Sequence, residues 1–169
     1  HTILNYTTPR FQINEKIISP EQQIEKLDLC ILKLQNYQEA AYNAIVQNTG
    51  EIENKNNISG LNYSVISNLL QALDIVYPND SFVSYLKEEN DKPFKNTKEL
   101  IGKDGLDNVM IYNKKNRENY KYRFDIVKTY GRIFSPQVIE QYSSKIKFIM
   151  DKIQESKGIV MIYAQYIDS

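Results

Sequence analysis

The chain has one cysteine, one histidine and no tryptophan in 169 residues. A single thiol excludes an intramolecular disulfide and a zinc site built on cysteines, and it is compatible with a reducing compartment. Cys30 reads as a small buried apolar residue rather than a catalytic thiol, because the only histidine, His1, is the first residue. The same shortage removes a Ser-His-Asp arrangement. Glycine is sparse too, and none of the six stands in a G-x-x-x-x-G-K-[ST] phosphate cradle. No acidic pair closes an apolar strand, so the metal-and-water half of a nucleotide-hydrolysing site is missing as well. The acids are scattered along helix faces, and Glu88-Glu89 sits in a polar run that reads as solvated, which argues against metal and glycoside chemistry. Lys+Arg and Asp+Glu are 21 each, so any contact with nucleic acid must be local. No apolar run approaches the roughly 20 residues that span a bilayer, and none has the form of a signal-peptide h-region. The expectation is a soluble chain without a membrane partner.

What is present is one domain's worth of mostly helical pattern. Residues 1–18 alternate weakly between Pro9 and a charged pair, which predicts an extended leading segment. Ser19-Pro20-Glu21-Gln22 is a helix start, with Ser as cap, Pro in the first turn and Gln three residues on. Ile24, Leu27, Ile31 and Leu34 follow at helical spacing, then Tyr37 or Gln38, Ala41 and Ile45, so helix is expected from about 20 to 47 with a break near 28–34. Polar loops are expected near 48–60 and 88–98. Between them Val65, Ile66, Leu69, Leu70, Leu73 and Val76 make the wide apolar face of a helix over 61–76, which Tyr77-Pro78-Asn79-Asp80 stops. A short helix is expected over 81–87, and another over 102–112 with Leu106, Val109 and Met110 inward and Asp104 as cap.

The most basic stretch is 113–125, where Tyr120, Tyr122 and Phe124 alternate among Lys121 and Arg123. Two readings are open: a surface that stacks bases and grips phosphates, or a solvated charged turn whose aromatics face the core. Residues 130–136 form a loop, and Ser135-Pro136 starts a helix with Val138, Ile139 and Tyr142 inward. From Ser143 the pattern changes. Ile146, Ile149 and Ile153 make a helix stripe, Lys157-Gly158 stops it, and the apolar run from Ile159 to Tyr163 reads as a buried strand at 159–164. A buried strand without its covering helix leads us to expect a piece of a larger fold.

These residues resemble a known family. Ser143-Ser144-Lys145-Ile146, followed after about a dozen residues by KGIVMIYAQYIDS, looks like the junction into the second motor domain of superfamily 2 helicases. The likeness is to the Swi2/Snf2-like and large-DNA-virus branches, including the poxviral early-transcription-factor type. Ala164 stands where those relatives usually keep Ser, while Gln165 and Tyr166 fit the pattern. Upstream, Leu34-Gln35-Asn36-Tyr37-Gln38 with Tyr42 resembles the helix that follows the first motor domain in such helicases, and the NLLQALDIVYP run at 68–78 resembles their element of a few apolar residues and then Tyr-Pro. Gly105-Leu106 with Val109-Met110, YKYRF and YGRIFSP resemble the connector of the viral members, in the same order and spacing.

The resemblance implies a mainly α fold: a helical connector over 19–142 with one or a few short strands, and the start of a second, RecA-like motor domain over 143–169. It implies an ATP-dependent nucleic-acid helicase or translocase in which this stretch links the motor domains without being catalytic. ATP and magnesium would be held by the parent, with the first-domain motifs before His1 and the arginine finger after Ser169. Nucleic acid and the flanking motor domains would be its partners. The location implied is the cytoplasm, including the viral factory or virion of a large DNA virus. By resemblance Gln165, Tyr166 and Ser169 would lie along the nucleic-acid track, although Tyr163 and Tyr166 also serve to close the strand's apolar end. Lys145 matches a family position, where a domain anchor, a phosphate contact and a solvated lysine are all open. A reading of another class, a free-standing helical module that docks a protein partner through 20–47 or 61–76, stands beside it.

Overall fold

A computed structural model describes residues 30–56, 63–88 and 92–163, and everything below except Cys30 and Ile31 belongs to the unit Leu32–Ser169. Among the described residues the chain is mainly helical: α1 (Asn36–Asn56), α2 (Tyr63–Asp74), α3 (Asp80–Lys87), α4 (Gly102–Val109), α5 (Phe124–Tyr130) and α6 (Ser144–Glu155). Two 3-10 turns, Thr97–Leu100 and Ile139–Gln141, and one hairpin of β1 (Met110–Asn113) and β2 (Glu118–Tyr122) complete it. None of these helices is long and apolar enough to cross a membrane.

The core forms where α1, α2 and the segments after α2 and α5 converge. Ala41, Ala44 and Ile45 of α1 are buried with Ala72, Ile75, Val76 and Tyr77, and Leu100, Val109, Ile133 and Ile139 close over them. Tyr77 is held twice: its amide donates to the Leu100 carbonyl at 2.8 Å, and Gly105 of α4 packs close against its ring. A Cβ at residue 105 would sit 2.4 Å from that ring, so the absence of a side chain there sets how closely α4 approaches. Beyond Pro78, Asn79 caps α3 by accepting from the Phe82 amide at 2.9 Å, which turns the chain back so that Phe82 is buried.

Several expectations need correction. Residues 30–35 are not helical, as the expected break allowed, and Cys30 is exposed rather than buried. Helix α1 then continues to Asn56, through much of the expected 48–60 loop. Glu51, Glu53 and Lys55 are good helix formers, and one interior glycine, Gly50, costs only about 1 kcal/mol. The described part of the 88–98 stretch, Glu88 and 92–98, is not a free linker. Phe94 is buried, its ring 5.0 Å from Phe82 and 5.5 Å from Tyr85, and Thr97 accepts from Asn48 Nδ2 at 3.1 Å. One aromatic anchor inside a polar stretch gives no periodic signal.

The helix expected over 102–112 ends at Val109, and Asp104 lies in its first turn without capping it. Met110 starts the hairpin instead, pairing antiparallel with Tyr122, Ile111 with Lys121 and Asn113 with Glu118. The register slips by one residue between Ile111 and Asn113, and Asn119 sits there at φ 59°, the left-handed geometry of a bulge. Helix α5 ends at Gly131, whose φ of 74° and ψ of −163° lie in a region open essentially to glycine alone. The helix expected from Pro136 is a run of turns closing in the 3-10 turn, though Ile139 and Tyr142 are buried as expected.

The largest correction concerns the C-terminal strand. Ile159–Tyr163 is not a strand, and Ile159, Met161 and Tyr163 are at least nine-tenths exposed. A strand requires a neighbour for its amides and carbonyls, and among the described residues β1 and β2 pair only with each other. Ile153, expected to face that strand, is 42% exposed; Ile146 and Met150 are the α6 side chains packed on the core. Residues 1–18, the 20–29 part of the first helix, and Ala164–Ser169 lie outside the described residues.

Candidate functional site

Three of the segments singled out from the sequence meet at one place: the end of α2, the start of α6 and the first turn of α1. The C-terminus of a helix leaves carbonyls without intrahelical partners, and the N-terminus leaves amides likewise. Here the two kinds of orphan face each other. Gln38, fully buried on α1, spans them: its Nε2 donates to the Ala72 carbonyl at 2.9 Å and at longer range to Leu73, while its Oε1 accepts from the Ser144 amide at 3.1 Å.

Ser143, also fully buried, makes a second bridge. Its hydroxyl accepts from the Ile146 amide at 2.9 Å, capping α6, and donates to the Asp74 carbonyl at 2.5 Å. An Asp in its place would cap but could not donate, and would bury a charge. The Val76 amide donates to the Tyr142 carbonyl at 3.0 Å alongside. The neighbouring Ser144 Oγ is buried and, among the described residues, has no hydrogen-bond partner.

Lys145 adds an ion pair, its Nζ 2.5 Å from Asp74 Oδ1. Each residue is misplaced in its own helix: Asp74 is the last residue of α2, where the dipole disfavours an anion, and Lys145 is in the first turn of α6, where it disfavours a cation. Together they neutralise both misfits. The pair is partly solvent-exposed, so its net effect is within about 1 kcal/mol.

Tyr37 holds the third side. Its hydroxyl donates to the Tyr77 carbonyl at 3.2 Å and accepts from the Asn79 amide at 3.1 Å, which fixes the Tyr77-Pro78 turn. Its ring packs edge-on to Phe82 and Tyr142 at 5.6 and 5.3 Å. Burial pushes the Tyr37 phenol above its ordinary pKa, against the opposing effect of the Asn79 amide, and burial does the same to Tyr77 and Tyr142. Tyr130 is raised by burial and then by its short hydrogen bond to the Asp80 carboxylate.

Of the residues expected to touch nucleic acid, Lys145 lies in this junction; Gln165, Tyr166 and Ser169 lie outside the described residues. The 113–125 stretch is distant in the chain and forms the hairpin and the start of α5. Its aromatics divide: Tyr122 turns inward, its hydroxyl accepting from the Phe134 amide at 3.0 Å, whereas Tyr120 and Phe124 are exposed. Sequence reasoning missed the bridging role of Gln38. Its signal was a polar side chain in an otherwise apolar stripe with Ala41 and Ile45. Among the described residues, no group of three His, Cys, Asp or Glu is placed to hold a metal ion.

Compared with known proteins, the chain matches no family model, no curated protein and no solved structure.

Proposed function

We propose that this chain is the connector between the two motor domains of a superfamily 2-type, nucleic-acid-dependent ATPase. The observation that carries the reading is the junction itself. The Tyr37-Gln38 segment and the Asp74 to Pro78 run resemble stretches that follow the family's first motor domain, and Ser143-Ser144-Lys145 resembles the junction into its second. In the fold they are bonded to one another, across separations of up to 106 residues. A connector has to pass a change of angle from one body to the next without bending, and a buried polar lock between helix ends is stiff enough for that. The uncovered apolar run Ile159–Tyr163, directly after α6, is where the second body would begin, pairing as a strand once a sheet is beside it.

In this reading ATP and magnesium are held by the flanking domains, and the chain's own residues position those domains. The test is the ATPase of the product of the whole reading frame, with and without single-stranded and duplex nucleic acid. Stimulated turnover that collapses in Gln38→Leu while basal turnover persists is expected. A full product that hydrolyses no nucleoside triphosphate removes the motor reading.

One observation favours the interaction-module reading. Ile66, Leu70 and Leu73 stand at helical spacing on α2 and each remains more than a third exposed, which is the form of a docking stripe. Replacing all three with Ser separates the readings: a docking module loses its partner, whereas a connector keeps its coupling.

A further inference from the structure

The β1–β2 hairpin concentrates positive charge on a chain whose charges otherwise balance. Residues 110–123 hold Lys114, Lys115, Arg117, Lys121 and Arg123 against a single acid, Glu118. Lys114 pairs with Asp107 at 2.5 Å, and Arg123 Nε donates to the Asp107 carbonyl at 3.0 Å, so both tie the hairpin to α4. Lys115 and Lys121 are exposed, and among the described residues neither is ion-paired. Arg117 closes the turn at φ 54°, with its amide bonded to the Asn113 carbonyl at 2.7 Å. Glycine adopts that conformation more easily, so the residue at the tip carries a guanidinium at some expense to folding.

Beside the tip is an aromatic pair. Tyr120 stacks on Tyr112 with ring centroids 4.7 Å apart and planes 19° from parallel. Tyr112 is half-buried and Tyr120, stacked on it, is 44% exposed. Tyr120 and Lys121 are adjacent on β2 and therefore project to opposite faces of the ribbon. A ligand that uses both must wrap the edge of the hairpin. A flexible single strand can do so; a duplex, stiff over many turns, cannot.

We propose that this hairpin is a binding site for single-stranded nucleic acid, with phosphates on Lys115, Arg117 and Lys121 and a base stacked on the outer face of Tyr120. The assignment rests on the hairpin residues alone and stands or falls apart from the motor reading. An anionic membrane or an acidic peptide would engage the cations but has no use for the open ring.

The experiment is fluorescence anisotropy of the chain with a labelled oligothymidylate, over a range of salt, and with the same strand in duplex form. Tight binding to the single strand is expected, with weaker binding to the duplex. Lys115→Ala with Lys121→Ala should lower the slope of log affinity against log salt by about 1.4, two phosphates at about 0.7 each. Tyr120→Leu, which keeps apolar cover over Tyr112, should weaken binding about tenfold with an unchanged slope, and Tyr120→Phe should restore it. Arg117→Gly should weaken binding while the melting temperature holds or rises, which separates binding from folding. Equal affinity for duplex, indifference to Tyr120→Leu, or capture by phosphatidylserine vesicles without capture of the oligonucleotide would overturn the assignment.

Discussion

Gln38 shows how one side chain can hold two helices end to end. Its amide satisfies a carbonyl of α2 and an amide of α6 that no other group in the described fold reaches. Gln38→Leu keeps the approximate volume and leaves both groups buried and unpaired, so a loss of about 2–4 kcal/mol in denaturant unfolding is expected. The two serines beside it make an opposed pair. Ser143→Ala removes a cap and an interhelix bond and should cost about 1–2 kcal/mol. Ser144→Ala removes a buried hydroxyl that has no partner among the described residues, so stability should hold or rise by up to about 1 kcal/mol. Melting temperatures of the two variants, measured side by side, check the assignment. A Ser144→Ala protein that melts as low as Ser143→Ala would show that this hydroxyl is bonded after all.

At the scale of elements, α6 is oriented by its N-terminal end rather than by its whole apolar stripe. Ser143, Lys145 and the Gln38 bond fix its first turn, and Ile146 and Met150 alone pack on the core. Ile146→Asp buries a charge there and should cost about 3 kcal/mol or more, enough to lose the cooperative melt. Ile153→Asp, on the exposed side, should stay within about 0.5 kcal/mol of the parent. From sequence the three isoleucines of this helix were equivalent, because spacing identifies a stripe without saying how much of it is covered. The hairpin follows the same rule. Tyr120 and Tyr122 share a face, yet Tyr122 is turned in against Phe134 and Tyr120 is left at the rim, a difference set by where α5 and the 130–136 loop lie.

For the whole molecule, the buried tyrosines set an alkaline limit. Burial raises the pKa of Tyr37 and Tyr77 above the ordinary value of about 10, so the folded chain keeps their protons when the unfolded chain would release them. Their contribution is fully present below about pH 10 and is lost as pH rises past it, each adding a slope of about 1.4 kcal/mol per pH unit. Denaturant melts across that range, followed together with tyrosinate absorbance, should show stability falling and these phenols ionising only on unfolding. A stability that stays flat through the ordinary tyrosine range would mean that they ionise in place. The sequence by itself determined the mainly helical class, the short helix after Pro78 and inward positions such as Ala41, Ile45, Val109 and Ile139, because apolar spacing and turn residues act within a few turns of chain. Only the tertiary structure decided that Gln38 locks α2 to α6, that Phe94 anchors a polar stretch, that Met110 begins a hairpin and that Ile159–Tyr163 stays unpaired. Each of those depends on a partner far away in sequence, or on the lack of one, and local pattern carries no information about it.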